Sequence, residues 1–157
     1  MFPPIRWGCN RNWWHDLVHD SSSRYTTCMR IIGGEAAGRL LKVPKGFDVR
    51  PTPDRVRQAI FNRLGPAVEE ARVLELFGGT GALSLECLSR GAESAVCIEK
   101  SWKHSQFIRK NWEEAGLSSK SLDIWTKDAW QAIQQLAERG SQFDLIMADP
   151  PYGPKNV

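Results

Sequence analysis

No stretch of this 157-residue chain approaches the roughly 18 apolar residues that a membrane-spanning helix needs. The four cysteines, Cys9, Cys28, Cys87 and Cys97, contain no C-x-x-C pair, so their spacing points neither to zinc nor to a redox motif. Cys87 falls in a predicted helix and Cys97 in a predicted strand, both on apolar faces, which reads as buried thiols in a reducing compartment. Residues 1–28 lack a clear period and lack the apolar core of a signal peptide, and Asp16 and Asp20 argue against a transit peptide. His15-Asp16-Leu17-Val18-His19 imitates a zinc-protease helix, but Asp replaces the required Glu and no third ligand is evident. These residues therefore read as an N-terminal extension, expected to be poorly ordered, with Met29 a candidate start. What remains is enough for one domain with one core.

Charge is unevenly spread. Residues 29–65 carry eight basic groups (Arg30, Arg39, Lys42, Lys45, Arg50, Arg55, Arg57, Arg63) and three acidic ones. Residues 66–157 carry ten basic and thirteen acidic groups. A basic front on a slightly acidic body fits phosphate contact, and fits a solvated basic face equally well.

From Met29 the pattern sharpens. Residues 29–32 and 39–43 are β-like runs joined by a loop with three glycines, which reads as a hairpin. In Arg50-Pro51-Thr52-Pro53-Asp54-Arg55-Val56-Arg57, Thr52 is a candidate N-cap and Pro53 a candidate first helical residue. Val56, Ala59, Ile60 and Leu64 then form an apolar stripe at helical spacing, stopped by Gly65-Pro66. Beyond it, strands are predicted over 72–77, 94–99, 121–126 and 143–148, and helices over 82–90, 103–115 and 129–139. Repeated β-α units imply a parallel sheet with right-handed crossovers, whose ligands sit beyond the strand C-terminal ends. Glu75, Glu99, Asp128 and Asp149 fall at or near those ends and are expected to border one crevice.

Gly78, Gly79 and Gly81 allow close backbone approach to a ligand, though Ser84 breaks a strict G-x-G-x-x-G fingerprint. Glu99 is placed either to accept from a ribose diol or to be a strand-end surface acid. Asp128 reads as an acceptor for an adenine amino group or as a helix N-cap. Asp149-Pro150-Pro151-Tyr152 after a buried strand is the most specific signal. The Asp149 carboxylate and the Pro150 carbonyl can each accept one N–H of an aromatic amine, whose lone pair is otherwise delocalised into its ring. Pro150 and Pro151 stiffen the turn, and Tyr152 can stack on an extruded base.

These residues resemble the class I S-adenosylmethionine-dependent methyltransferases, and more narrowly the bacterial 16S rRNA guanine-N2 methyltransferases. The narrower likeness rests on Met29–Gly34, Gly38–Pro44, Arg50–Arg57, Glu75–Leu83, Leu88–Ala92 and Asp149–Tyr152. The resemblance implies a Rossmann-like α/β sandwich over residues 66–157, preceded by a basic hairpin and helix over 29–65. It implies that Glu75, Phe77, Gly78, Gly79, Thr80, Gly81, Glu99, Lys100, Asp128 and Ala129 hold S-adenosylmethionine. It also implies that Asp149 to Tyr152 hold the guanine amine, and that Arg30, Arg39, Lys42, Arg50, Thr52 and Arg55 face RNA. The expected partner is 16S rRNA or the small ribosomal subunit, acted on by a cytoplasmic, metal-free monomer.

Glu75 stands where many relatives have Asp, and no counterpart is recognised for residues 1–28. Four sheet strands are readable where the family has seven, so a C-terminally truncated core is expected. Alternatives are a DNA adenine or cytosine amino-methyltransferase, for which no target-recognition segment is visible, and a non-catalytic cofactor- or RNA-binding fragment. A nicotinamide dehydrogenase is disfavoured by Ser84 and would leave Asp149 to Tyr152 without a role.

Overall fold

The computed structural model describes residues 29–43 and 52–150. The extension over 1–28, and Arg50, Pro151 and Tyr152 among the expected site residues, lie outside the described residues. A hairpin comes first, β1 (Met29–Arg30) against β2 (Leu40–Leu41), antiparallel with Met29 opposite Leu41. Helix α1 (Asp54–Leu64) and a short 3-10 turn (Gly65–Val68) follow. Then come β3 (Arg72–Leu76), α2 (Ala82–Ser89), β4 (Ser94–Glu99), α3 (Trp102–Glu114), β5 (Ser121–Thr126), α4 (Ala129–Glu138) and β6 (Leu145–Ala148).

The four-stranded sheet runs β5-β4-β3-β6, and every pairing is parallel. Central strands β3 and β4 are nearly continuous apolar runs, as strands covered on both faces must be. The chain steps outward from β3 to β4 to β5 and then returns to the other side of β3 as β6. Right-handed crossovers then place α2 and α3 on one face and α4 on the other. The core divides accordingly. Val73, Ala95, Leu85, Leu88, Ala115 and Leu117 pack with the hairpin on one side, while Leu74, Leu76 and Ile98 pack with Ala129, Ala132 and Leu136 on the other. The order of connection thus reverses between β3 and β6, and ligands of such sheets sit in the crevice beyond the strand C-terminal ends at that point. No helix among the described residues is long and apolar enough to cross a membrane.

Two expectations fail. The hairpin ladder is shorter than the predicted runs because the N–H groups of Ile32 and Gly33 donate to the Glu86 carboxylate of α2, at 2.7 Å each. On α1 the predicted stripe is not the buried one: Val56 and Ile60 are exposed, and Arg57 and Phe61 are buried. Glu86 is fully buried and draws cations to itself. Arg90 binds it at 2.7 Å and stands over the Phe61 ring, and Arg57 lies within its field. Arg57 donates to the Arg30 carbonyl at 2.5 Å and to Asp54 at 2.8 Å, which ties α1 to β1.

Candidate functional site

The crevice floor is the turn after β3. Phe77 takes a left-handed conformation (φ 63°) that a bulky residue adopts only at a cost of about 1–3 kcal/mol, and it breaks the strand. Gly78 donates its N–H to the Ile98 carbonyl at 2.8 Å, and Gly81 donates to the Gly78 carbonyl at 2.7 Å, closing the turn. Glycine is needed here for a reason besides ligand approach. A Cβ on Gly78 would strike the Cys97 sulfur, and one on Gly81 would strike Ile108. The turn is pressed onto β4 and α3, and Gly81, at φ 75°, starts α2.

Glu99, at the end of β4, braces this turn. Its Oε2 accepts the Gly79 N–H at 2.8 Å and its Oε1 accepts the Ser101 N–H at 2.7 Å. The His104 ring nitrogen Nδ1 stands 3.6 Å from Oε1, and a carboxylate oxygen that makes one bond can still accept from a ribose hydroxyl. Gly79, like Phe77, is half-exposed.

Glu75 does not border the crevice as expected. Side chains alternate along a strand, so it shares Val73's face and lies 2% exposed beneath α2. Its carboxylate accepts from the Ser84 N–H at 2.9 Å, from the Ser84 hydroxyl, and from the Cys97 thiol at 3.4 Å. Burial pushes its carboxyl up to about 7, against the pull of those donors. Thr80 and Ala129 are buried too, and the Thr80 hydroxyl faces the Met29 sulfur at 3.5 Å. Burial also pushes the Cys87 and Cys97 thiols up, and neither is in a disulfide.

Asp128 is the N-cap of α4, accepting the Trp130 N–H at 3.0 Å. That backbone bond holds its carboxyl below the usual range, helped by Lys100, whose ammonium is 3.5 Å away.

Asp149 follows β6, which pairs with β3 so that Leu76 faces Ala148. Its Oδ2 accepts the Thr52 hydroxyl at 2.5 Å. Thr52 is therefore not the N-cap of α1, a position Pro53 holds without a side-chain bond. The segment before α1 and the acid after β6 meet across 97 residues of chain. Of the expected RNA-facing residues, Arg30 pairs with Asp54 at 3.2 Å and Lys42 with Glu114 at 2.5 Å. Arg39 and Arg55 are exposed.

Asn111 escaped sequence reasoning. Fully buried on α3, it accepts the Lys42 N–H at 2.7 Å and donates to the carbonyls of Lys42 at 3.1 Å and Thr80 at 3.2 Å. One amide thus fastens the hairpin to the glycine turn. The signal was present: Asn111 falls three residues after Ile108 and four before Ala115, on the buried stripe of α3, where a polar residue needs a partner. Ser89 works alike at the end of α2, accepting from the Ala36 N–H at 2.9 Å and donating to the Gly33 carbonyl at 2.6 Å.

The family model described as conserved hypothetical protein 95 matches residues 29–157. YlbH of Bacillus subtilis, a provisionally named rRNA methyltransferase, is 39% identical over 124 residues, covering 79% of this chain and 67% of that protein. The ribosomal RNA small subunit methyltransferase D of Escherichia coli K12 is 40% identical over 124 residues, covering 79% of this chain and 60% of that one. The chain thus spans about three fifths to two thirds of these relatives' lengths. The solved structure of yhhF from Escherichia coli, a provisionally named methyltransferase, superposes with a TM-score of 0.69 at 39% identity. It covers 83% of this chain and 68% of its own.

Proposed function

The chain belongs to the family described as conserved hypothetical protein 95, and from that premise we propose that it transfers a methyl group from S-adenosylmethionine to the exocyclic N2 of a guanine in small-subunit rRNA. The observation that carries the reading is the meeting of two loops at one end of the sheet. The glycine turn braced by Glu99 lies after β3, and Asp149 lies after β6 beside it.

The bound cofactor would supply an electrophilic methyl on a sulfonium. The chain's own residues do the rest. Gly79 is half-exposed in the turn, and the Glu99 carboxylate accepts from the ribose hydroxyls. Asp128 and Lys100, 3.5 Å apart, would hold the cofactor's adenine. Glu75 shapes the turn from beneath, since its bonds to Ser84 act as a cap for α2. Asp149 accepts an N–H of the guanine amine with the acceptor positions that Thr52 leaves free. A carboxylate there stabilises positive charge as the nitrogen attacks carbon, and it does so at a fixed position because Thr52 holds it. Arg39 and Arg55 offer exposed cations to phosphates, and a ribosomal substrate places the reaction in the cytoplasm.

The test is transfer of labelled methyl to unmodified small subunits, with duplex DNA as the control substrate. Asp149→Ala should lower the rate at least about a hundredfold while S-adenosylhomocysteine affinity, read by calorimetry, changes by less than about twofold. Loss of both together would remove Asp149 from the assigned role, and methyl incorporation into DNA alone would overturn the substrate.

A further inference from the structure

The two most exposed large apolar side chains among the described residues are Trp102, 69% open, and Trp130, 72% open. They occupy the same end of the sheet. Trp102 begins α3 after β4, and Trp130 lies in the first turn of α4 after β5, the strand paired with β4. The Lys100–Asp128 contact at 3.5 Å and the bond from the Lys127 N–H to the Glu99 carbonyl at 3.0 Å join the two segments. A fold that leaves two indoles in water at one end of its sheet, at the starts of helices on its two faces, forgoes the stabilisation that burying them would bring.

We infer that Trp102 and Trp130 form a stacking platform for unpaired RNA bases that flank the target guanine. This inference rests on the proposed RNA methyl transfer. Its chemistry is the pairing of open aromatic faces with cations, which is how single strands are held without sequence preference. Residues 100–104 and 125–131 contain Lys100, Lys103 and Lys127 against one acid, Asp128, which is already engaged by Lys100. That excess of positive charge suits a phosphate backbone. It does not suit a second copy of this chain, which would bring the same cations. The Glu99 side chain, set for the ribose, is 11% exposed, whereas both indoles stand mostly in solvent. The platform lies at β4 and β5, and Asp149 at β6. From β5 to β6 is three strand spacings, about 14 Å, so one strand of RNA reaches both within a few nucleotides.

The experiment uses the full 157-residue chain and a fluorescein-labelled single-stranded oligoribonucleotide, read by anisotropy. Trp102→Ala with Trp130→Ala should weaken binding by roughly tenfold per indole removed, and the double Phe variant should retain most of the affinity. S-adenosylhomocysteine affinity of the double Ala variant should stay within about twofold of the unsubstituted chain. Unchanged RNA affinity in the double Ala variant overturns the inference. So does a loss of S-adenosylhomocysteine binding without a loss of RNA binding, which would return the indoles to the cofactor. A concentration-dependent mass that the substitutions abolish, with RNA binding intact, would assign them to self-association instead. Absence of RNA binding by the unsubstituted chain overturns it as well, whereas the parent reading stands or falls on methyl transfer.

Discussion

Among single side chains, Glu75 has the clearest pH signature. Its carboxyl, near 4.5 when exposed, is pushed up to about 7 by burial. The folded state therefore holds a proton that the unfolded state has lost. The stability tied to that proton is fully present below about pH 4.5 and is lost as pH rises toward 7. Urea unfolding at pH 4.5 and pH 8 should show a decline on the order of 3 kcal/mol from this residue. Glu75→Gln, which keeps an acceptor for Ser84, should flatten that decline; an undiminished slope would place the titration elsewhere. Thr52 offers a second test at this scale. Thr52→Val removes the hydroxyl from Asp149 and should slow methyl transfer about tenfold, a loss of roughly 1.5 kcal/mol, while Thr52→Ser should retain most of the rate. Both residues could be singled out in the sequence, but their contacts could not. The alternation along β3 did put Glu75 on Val73's side, and that signal was there to be used.

Secondary elements divide by how local their causes are. Strands β3 to β6 and helices α2 to α4 fall within two residues of expectation, because period and cap lie within each segment. The hairpin depends on Glu86, more than fifty residues from Gly33, and the burial of Arg57 on α1 goes with its bond to the Arg30 carbonyl; no local pattern announces either. Asn111→Ala tests how the hairpin is held. It leaves the Lys42 N–H without its acceptor in a half-buried place, so stability should fall by about 1–3 kcal/mol. Hydrogen exchange at Lys42 should rise beyond that at the centre of the sheet; uniform change would mean the amide does not bind the hairpin specifically. At the opposite end of the sheet, Arg72 clasps Asp144 with Nε 3.0 Å from Oδ2 and holds its carboxyl down to about 2. This contribution is present above about pH 4 and is lost as pH falls through 2, so Asp144→Asn should lower stability slightly at neutral pH and flatten the decline between pH 4 and 2, as urea unfolding of the two chains across that range would show.

For the molecule as a whole, the expected RNA contact is electrostatic and spread over the hairpin, α1 and the β4–β5 rim. Replacing exposed Arg39 and Arg55 by Ala should reduce the slope of log affinity against log salt by about 0.7 for each phosphate contact removed. The α/β class and the direction of the sheet were legible because every β-α unit repeats one pattern. The assembly of the crevice was not, since it depends on a bond between Thr52 and Asp149 that no segment contains alone. The register of β6 on β3, with Leu145 beside Val73, has a consequence in time. A ribosome delivers β3, α2, β4, α3, β5 and α4 in order, and β6 only afterwards. Throughout that interval the glycine turn and Glu99 can already come together, while one edge of β3 stays unpaired and Asp149 has not been made. On the proposed methyl transfer, the nascent chain would complete its cofactor-side loops early and its base-side acid in one late step.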